Sequence, residues 1–223
     1  MRLTKSKKIL VYIFLLLFVG SINNIQINSI EFNKIKNINV SGLSNQNKKI
    51  ILNEINKLNL NNIFSLDKSE IKKIIENNNL VEKYEVTRVY PSTLNIKIKK
   101  TNFLAKINQD NQILLVGSNG KLSKNNPIIE NLPFIFGKPN IKEFLKFIEI
   151  LNQSQFKYDL IKNFYFYKSK RWDLKLKNNI LIKLPKNNVE ESLNVVFEFL
   201  NVPELNDIKI FDARVKNQII LND

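Results

Sequence analysis

The sequence predicts an α+β fold: an N-terminal membrane helix, a β-α-α-β-β module, and then a strand-rich mixed β domain with two helices. Three observations carry this reading. A wholly apolar run, Ile9 to Val19, follows a basic start. Between residues 35 and 100 the apolar spacing switches from strand to helix and back to strand. From residue 101 onward, short strand-like segments separated by turn residues dominate, with two helical stretches among them.

Met1 to Lys8 is basic, and the apolar run extended through Gly20, Ser21 and Ile22 covers about 21 Å as a helix, against a hydrocarbon core of about 30 Å. Lys7 and Lys8 can snorkel, while Asn23, Asn24 and Gln26 suit the far interface. Residues 1–8 are therefore read as a cytoplasmic tail, 9–27 as a transmembrane anchor and 28–34 as a linker. A cleaved signal peptide has the same layout, and Val19-Gly20-Ser21 resembles a cleavage site. Length alone leaves both open. Either way, the positive residues place the N-terminus in the cytoplasm and everything after Asn28 outside.

The module over 35–100 begins with a strand, Ile35 to Val40, ended by Gly42, a residue free to take positive φ. Asn47 to Leu58 carries Ile50, Ile51, Ile55 and Leu58 at helical spacing. Asp67 followed by Glu70 is a capping-box-like arrangement that opens a second helix through Ile71, Ile74 and Ile75. Val81 to Tyr90 alternates loosely and stops at Pro91-Ser92. Thr93 to Lys99 alternates cleanly, with Leu94, Ile96 and Ile98 opposed to Asn95, Lys97 and Lys99. These two strands should form a hairpin with both helices packed on one face.

The remainder, 101–223, opens with strands at Ala105 to Ile107 and Ile113 to Val116 around Asp110-Asn111, then a strong turn at Asn119-Gly120. Leu132-Pro133 through Gly137-Lys138-Pro139 reads as a proline-marked crossover. Asn140 with Glu143 opens a helix whose apolar face is Phe144, Leu145, Ile148 and Leu151. Strands follow at Asn163 to Tyr167, Trp172 to Leu176 and Ile180 to Leu184. Asn188 with Glu191 caps a second helix reaching Leu200. The last strands, Ile208 to Ala213 and Gln218 to Leu221, flank a short turn at Lys216-Asn217.

The chain has no cysteine and no histidine. That removes disulfides, thiolate and imidazole metal sites, and catalytic devices built on either residue. Ser169 and Lys170 are neighbours that would point apart on a strand, so they make no nucleophile and base. Gly20, Gly42, Gly117, Gly120 and Gly137 form no phosphate loop. The reading is a protein that is not an enzyme and has no cofactor. The net charge of +15 raises the question of nucleic acid. Yet Lys, Asn and Ile are heavily used throughout, as an AT-rich coding bias would produce, and the charge is spread evenly. No nucleic-acid partner is expected.

In a chain drifting toward lysine, four arginines remain: Arg2, Arg88, Arg171 and Arg214. A planar guanidinium makes bidentate and stacked contacts that lysine cannot. Trp172 is expected in the core, so Arg171 beside it must face the opposite way and is a contact candidate. Asp212 and Arg214 share a face, able to pair with each other or to present a polar stripe. The final strand, around Val215, Gln218, Ile219, Ile220 and Leu221, is largely apolar and has no later strand to cover its outer edge. It is expected to take up a partner's strand through backbone hydrogen bonds. The alternative is that Ile219 and Ile220 only close the core.

The module over 35–100 resembles a POTRA domain, with Val40-Ser41-Gly42 ending its first strand. The run from Val81 to Leu94, with Val81, Val86, Arg88, Pro91, Thr93 and Leu94 matching, resembles the stretch typical of the FtsQ/DivIB cell-division proteins, with Tyr84 and Tyr90 where alanine and tryptophan are usual. Lys170-Arg171-Trp172-Asp173-Leu174 and Phe211-Asp212-Ala213-Arg214 are similar to two later motifs of that family. The resemblance covers roughly residues 5 to 221. It implies a non-catalytic scaffold of the bacterial divisome, held in the inner membrane by an uncleaved single span with the bulk of the chain in the periplasm. It implies FtsB-like and FtsL-like single-span partners, binding beside the strand of Asp212 and Arg214, and a weaker contact surface on the POTRA domain around Arg88. The alternatives are a POTRA-bearing outer-membrane assembly or secretion factor, or a periplasmic ligand-binding module.

Overall fold

A computed structural model describes residues 5–22, 35–58, 60, 63, 66–124, 131–205, 207–215 and 218–222. The first helix, α1 (Lys5–Ile22), has 18 residues, a rise of about 27 Å. Among the described residues no helix is long and apolar enough to cross a membrane. The expected membrane helix over 9–27 is therefore not found there. Lys5, Lys7 and Lys8 occupy the first turn of α1 and take up length that a span needs, and residues 23–27 lie outside the described set. The chain divides into two compact units, one of residues 1–77 with 84–99, the other of 78–83 with 100–223.

The first unit holds β1 (Asn37–Ser41), α2 (Asn45–Asn56) and α3 (Lys68–Asn77), followed by most of β2 (Val81–Val89) and of β3 (Thr93–Lys100), whose residues 81–83 and 100 count with the second unit. The sheet order is β1-β3-β2, with β1 parallel to β3. This is the expected β-α-α-β-β module. Leu94, Ile96 and Ile98 of β3 are buried together with Ile51 and Ile55 of α2 and Ile71 and Ile75 of α3. Ile50, one position out of phase, stays exposed. Asp67 caps α3, its carboxylate accepting the Ser69 N–H at 2.8 Å. Gly42 leaves β1 at φ +93°, and a Cβ there would lie 1.7 Å from the Ile98 carbonyl oxygen. Only glycine fits, for both reasons.

The second unit is a nine-stranded sheet in the order β12-β11-β10-β9-β8-β7-β4-β5-β6. Its strands are β4 (Phe103–Gln109), β5 (Gln112–Gly117), β6 (Leu122–Lys124), β7 (Phe134–Phe136), β8 (Ile161–Phe166), β9 (Trp172–Leu176), β10 (Leu181–Lys183), β11 (Ile210–Asp212) and β12 (Ile220–Asn222). Two helices, α4 (Ile141–Gln153) and α5 (Val189–Leu200), bury Phe144, Phe147, Leu193 and Val196 in one continuous core with Phe164, Trp172, Leu174, Ile182 and Phe211 of the sheet. Trp172 is 6% exposed and ringed by Phe144, Phe147, Phe164 and Phe166.

Several details differ from the sequence reading: it has no strand at β6, and on α4 Phe147 is buried where it expects Leu145. The proline-marked crossover contains a central strand, β7, parallel to both β4 and β8. Asn188 sits at φ 56° and makes no side-chain cap bond, so the Asn188–Glu191 cap is not formed. By contrast, Asn140 accepts the Lys142 N–H at 3.0 Å while its own N–H reaches Glu143, a closed capping arrangement at the start of α4. The expected turn at Lys216-Asn217 lies outside the described residues.

Candidate partner-binding site

β12 pairs with β11 antiparallel, Asp212 opposite Ile220, Phe211 opposite Leu221 and Ile210 opposite Asn222. It lies at the end of the sheet order, so its other side has no strand neighbour among the described residues. The register decides which backbone groups are left over. On its β10 side, β11 is bonded through the Lys209 carbonyl and the Ala213 N–H. Backbone direction alternates along a strand, so Ile210 and Asp212 turn theirs toward β12. Their partners Asn222 and Ile220 face inward, and the N–H and C=O of Leu221 point to the outer edge. An edge of this kind accepts an extended segment by adding a strand.

Side-chain direction follows the same alternation. Ile219 and Leu221 pack partly against the core, and Ile220 is 48% exposed on the opposite face. Beside this strand lies a cavity of about 630 Å³ whose walls include Lys186, Glu191, Val195 and Phe199 together with Arg214, Val215 and Ile219. Val195, Phe199 and Val215 expose more than a third of their surface. An apolar groove thus runs next to an open backbone edge.

The face of the sheet away from α4 and α5 carries a row of charges. Register places Tyr165 of β8, Asp173 of β9, Lys183 of β10, Asp212 of β11 and Ile220 of β12 side by side. Asp173 and Asp212 are 1% and 5% exposed. Each is held by an arginine two residues away: Arg171 Nε lies 3.4 Å from Asp173 Oδ1, and Arg214 Nε lies 2.8 Å from Asp212 Oδ1. Arg214 also donates from its terminal nitrogen to Oδ2. These hydrogen bonds hold the Asp212 carboxyl below the usual carboxylate range, against the opposing effect of burial, and raise Arg214 above its ordinary value. Arg171 stacks over the Tyr167 ring at 4.3 Å. Burial, followed by the Asp173 charge, pushes the Tyr167 hydroxyl up.

The sequence-derived residues thus fall into two groups. Arg171, Asp212, Arg214, Val215, Gln218, Ile219, Ile220 and Leu221 all belong to the second unit, and all but Arg171 lie on β11, β12 or the segments next to them; Arg171 stands two strands away, before β9. Arg88 is in the first unit, half-buried, its terminal nitrogen donating to the Leu66 carbonyl at 2.8 Å. There it ties the α2–α3 connection to β2. Three contributors were missed. Lys183 stands between two buried aspartates only because β10 is inserted between β9 and β11, a tertiary fact. Val195 and Phe199 read as core positions of a helix. Asp173 was legible, since it repeats next to Arg171 the two-residue spacing of Asp212 and Arg214.

Two protein families match the chain, the FtsQ-type POTRA domain over residues 33–100 and the C-terminal region of cell division protein FtsQ/DivIB over residues 105–214. Among curated proteins it is 30% identical over 168 residues to cell division protein FtsQ of Rickettsia bellii, covering 70% of this chain and 59% of that protein. It is 29% identical over 165 residues to that of Rickettsia conorii, again 70% and 59%. With FtsQ of Rhizobium meliloti it shares 24% over 160 residues, 69% of this chain and 51% of the relative. The chain spans little more than half the length of these relatives.

Proposed function

The chain belongs to the FtsQ/DivIB family of cell division proteins, and from that footing we propose that it is a non-catalytic, single-span scaffold of the division machinery, anchored in the inner membrane with its two folded units in the periplasm. On this reading it binds FtsB-like and FtsL-like single-span division proteins and thereby promotes septum formation. It does so by recognition alone, without cofactor or metal. The single observation that carries the proposal is the outer edge of β12, where Leu221 directs its backbone groups outward beside an apolar groove. A partner strand laid there would complete the ladder, fill the groove with alternate side chains and bring others toward Arg214 and Asp212. Arg171 extends that polar row across the sheet, and Arg88 marks a second, lesser contact surface.

Proline scanning tests this. Leu221→Pro removes an outward N–H and leaves the β11 bonds in place, so the variant should fold and fail to co-purify the FtsB-like partner from membranes. Leu221→Ala trims the same side chain but keeps the N–H, and should still capture it. The proposal is wrong if Leu221→Pro, folded by circular dichroism, retains the partner at the level of the unsubstituted chain.

A further inference from the structure

Outside α1, the first unit exposes three large hydrophobic side chains among the described residues: Ile50 at 52%, Val89 at 42% and Tyr90 at 55%. Ile50 stands in the middle of α2, beside its buried face. Val89 and Tyr90 are neighbours where β2 gives way to the turn Tyr90–Ser92 that leads into β3. Single exposed hydrophobics are ordinary, but two side by side at a turn are not what turn chemistry selects. The same turn is where the chain enters the unit. The N–H groups of Lys36 and Asn37 both donate to the Ser92 carbonyl, at 2.9 and 3.3 Å. Lys36 is itself exposed. Lys68, at the start of α3 and next to Asp67, meets β2 near this end, its ammonium donating to the Val86 carbonyl at 3.1 Å. Residues 23–34 connect α1 to this entry point, a covalent leash of at most about 45 Å. The leash ends at the turn, so the turn is the part of the unit it holds nearest to whatever holds α1.

We infer that the β2–β3 turn is a lipid-contacting tip: Val89 and Tyr90 dip into the interfacial zone of the bilayer that holds α1. This rests on the anchor reading and adds a second membrane contact to it. The two side chains suit the role in different ways. Tyr90 joins an apolar ring to a hydroxyl that stays hydrated, the combination enriched at headgroup level. Val89 adds apolar area that needs no hydrogen-bond partner on leaving water. Lys36 and Lys68 bring positive charge to the same end, where a surface with anionic headgroups attracts them. Two side chains make a weak contact by themselves. Tethering supplies the rest, because the leash turns encounter with the bilayer into an intramolecular event. The contact holds the first unit against the membrane by the end at which the chain enters.

The chain has no cysteine, so one introduced thiol reports from one place. Val89→Cys, Ile50→Cys and Phe14→Cys are each made in the full-length chain and given a nitrobenzoxadiazole label. The labelled chains are reconstituted into vesicles of phosphatidylethanolamine and phosphatidylglycerol. Quenching is read with nitroxide lipids that carry the spin label either at headgroup level or near the middle of the bilayer. Ile50 is the control, being as apolar as Val89 and more exposed. Headgroup-level nitroxide should quench the label at residue 89 at least about threefold more than at residue 50. Adding Tyr90→Ser should remove most of that difference. Equal quenching at residues 89 and 50, the result expected of a tip made for a protein partner, would overturn the inference, as would an undiminished difference with Tyr90→Ser. Residue 14 separates the two ideas. Deep quenching there with none at residue 89 leaves the anchor standing and removes the tip contact. No deep quenching at residue 14 removes the anchor itself, and this inference with it.

Discussion

Arg214 and Asp212 illustrate how a two-residue spacing becomes chemistry. Side chains two apart on a strand share a face, and here the guanidinium closes on a carboxylate that is almost wholly buried. An exposed ion pair contributes under about 1 kcal/mol. Arg214 is itself 42% exposed at the side chain, so its Coulomb attraction is screened, and the hydrogen bonds that satisfy a buried acceptor matter more. Because these bonds lower the folded-state pKa of Asp212, their stabilisation is present above the unfolded value of about 3.9 and is lost as pH falls through the folded value. Urea midpoints taken from pH 6 down to pH 3 should therefore fall less steeply in acid for Asp212→Asn than for the unsubstituted chain; parallel curves would remove the pair from the account. The spacing was legible in the sequence, as was the opposed direction of Arg171 and Trp172. The burial of Asp173 and Asp212 was not, since aspartate on a strand ordinarily faces water.

Among elements, those with a strict period were readable and those defined by their neighbours were not. Leu94, Ile96 and Ile98 announce β3 by alternation, and Phe144, Ile148 and Leu151 announce α4 by helical spacing. β7 is three residues between Pro133 and Gly137, with no alternation to show. It exists because the flanking parallel strands β4 and β8 bond to it. The failed cap at Asn188 has a similar origin. A sequence can offer an asparagine three residues before a glutamate, but the path from β10 into α5 sets the backbone, and a left-handed φ directs the side chain elsewhere. Gly42 is the reverse case, an element boundary fixed by one residue. Gly42→Ala meets both a positive φ and the Ile98 carbonyl, so it should destabilise the chain by more than about 1 kcal/mol, read as a lowered urea midpoint. An unchanged midpoint would mean that the β1–α2 connection can take another path.

Over the whole molecule the chain forms two compact units, and the features suited to recognition gather at one end of the second unit's nine-stranded sheet. The open edge of β12, the groove beside α5 and the paired charges of the opposite face lie within a few strands of one another. The edge strand was legible as the last apolar, β-prone segment; which of its backbone groups are free was not, because that depends on the register with β11 and on the β10–β11 bonds. Hydrogen exchange at two adjacent amides, Ile220 and Leu221, tests this most directly, measured on the full-length chain alone and with the co-expressed FtsB-like partner. Alone, Ile220 should be protected by its bond to β11 and Leu221 should exchange freely. With the partner bound, protection should appear at Leu221 while Ile220 changes little. A Leu221 amide that stays unprotected in the complex, or is already protected in the chain alone, would contradict partner binding at this edge.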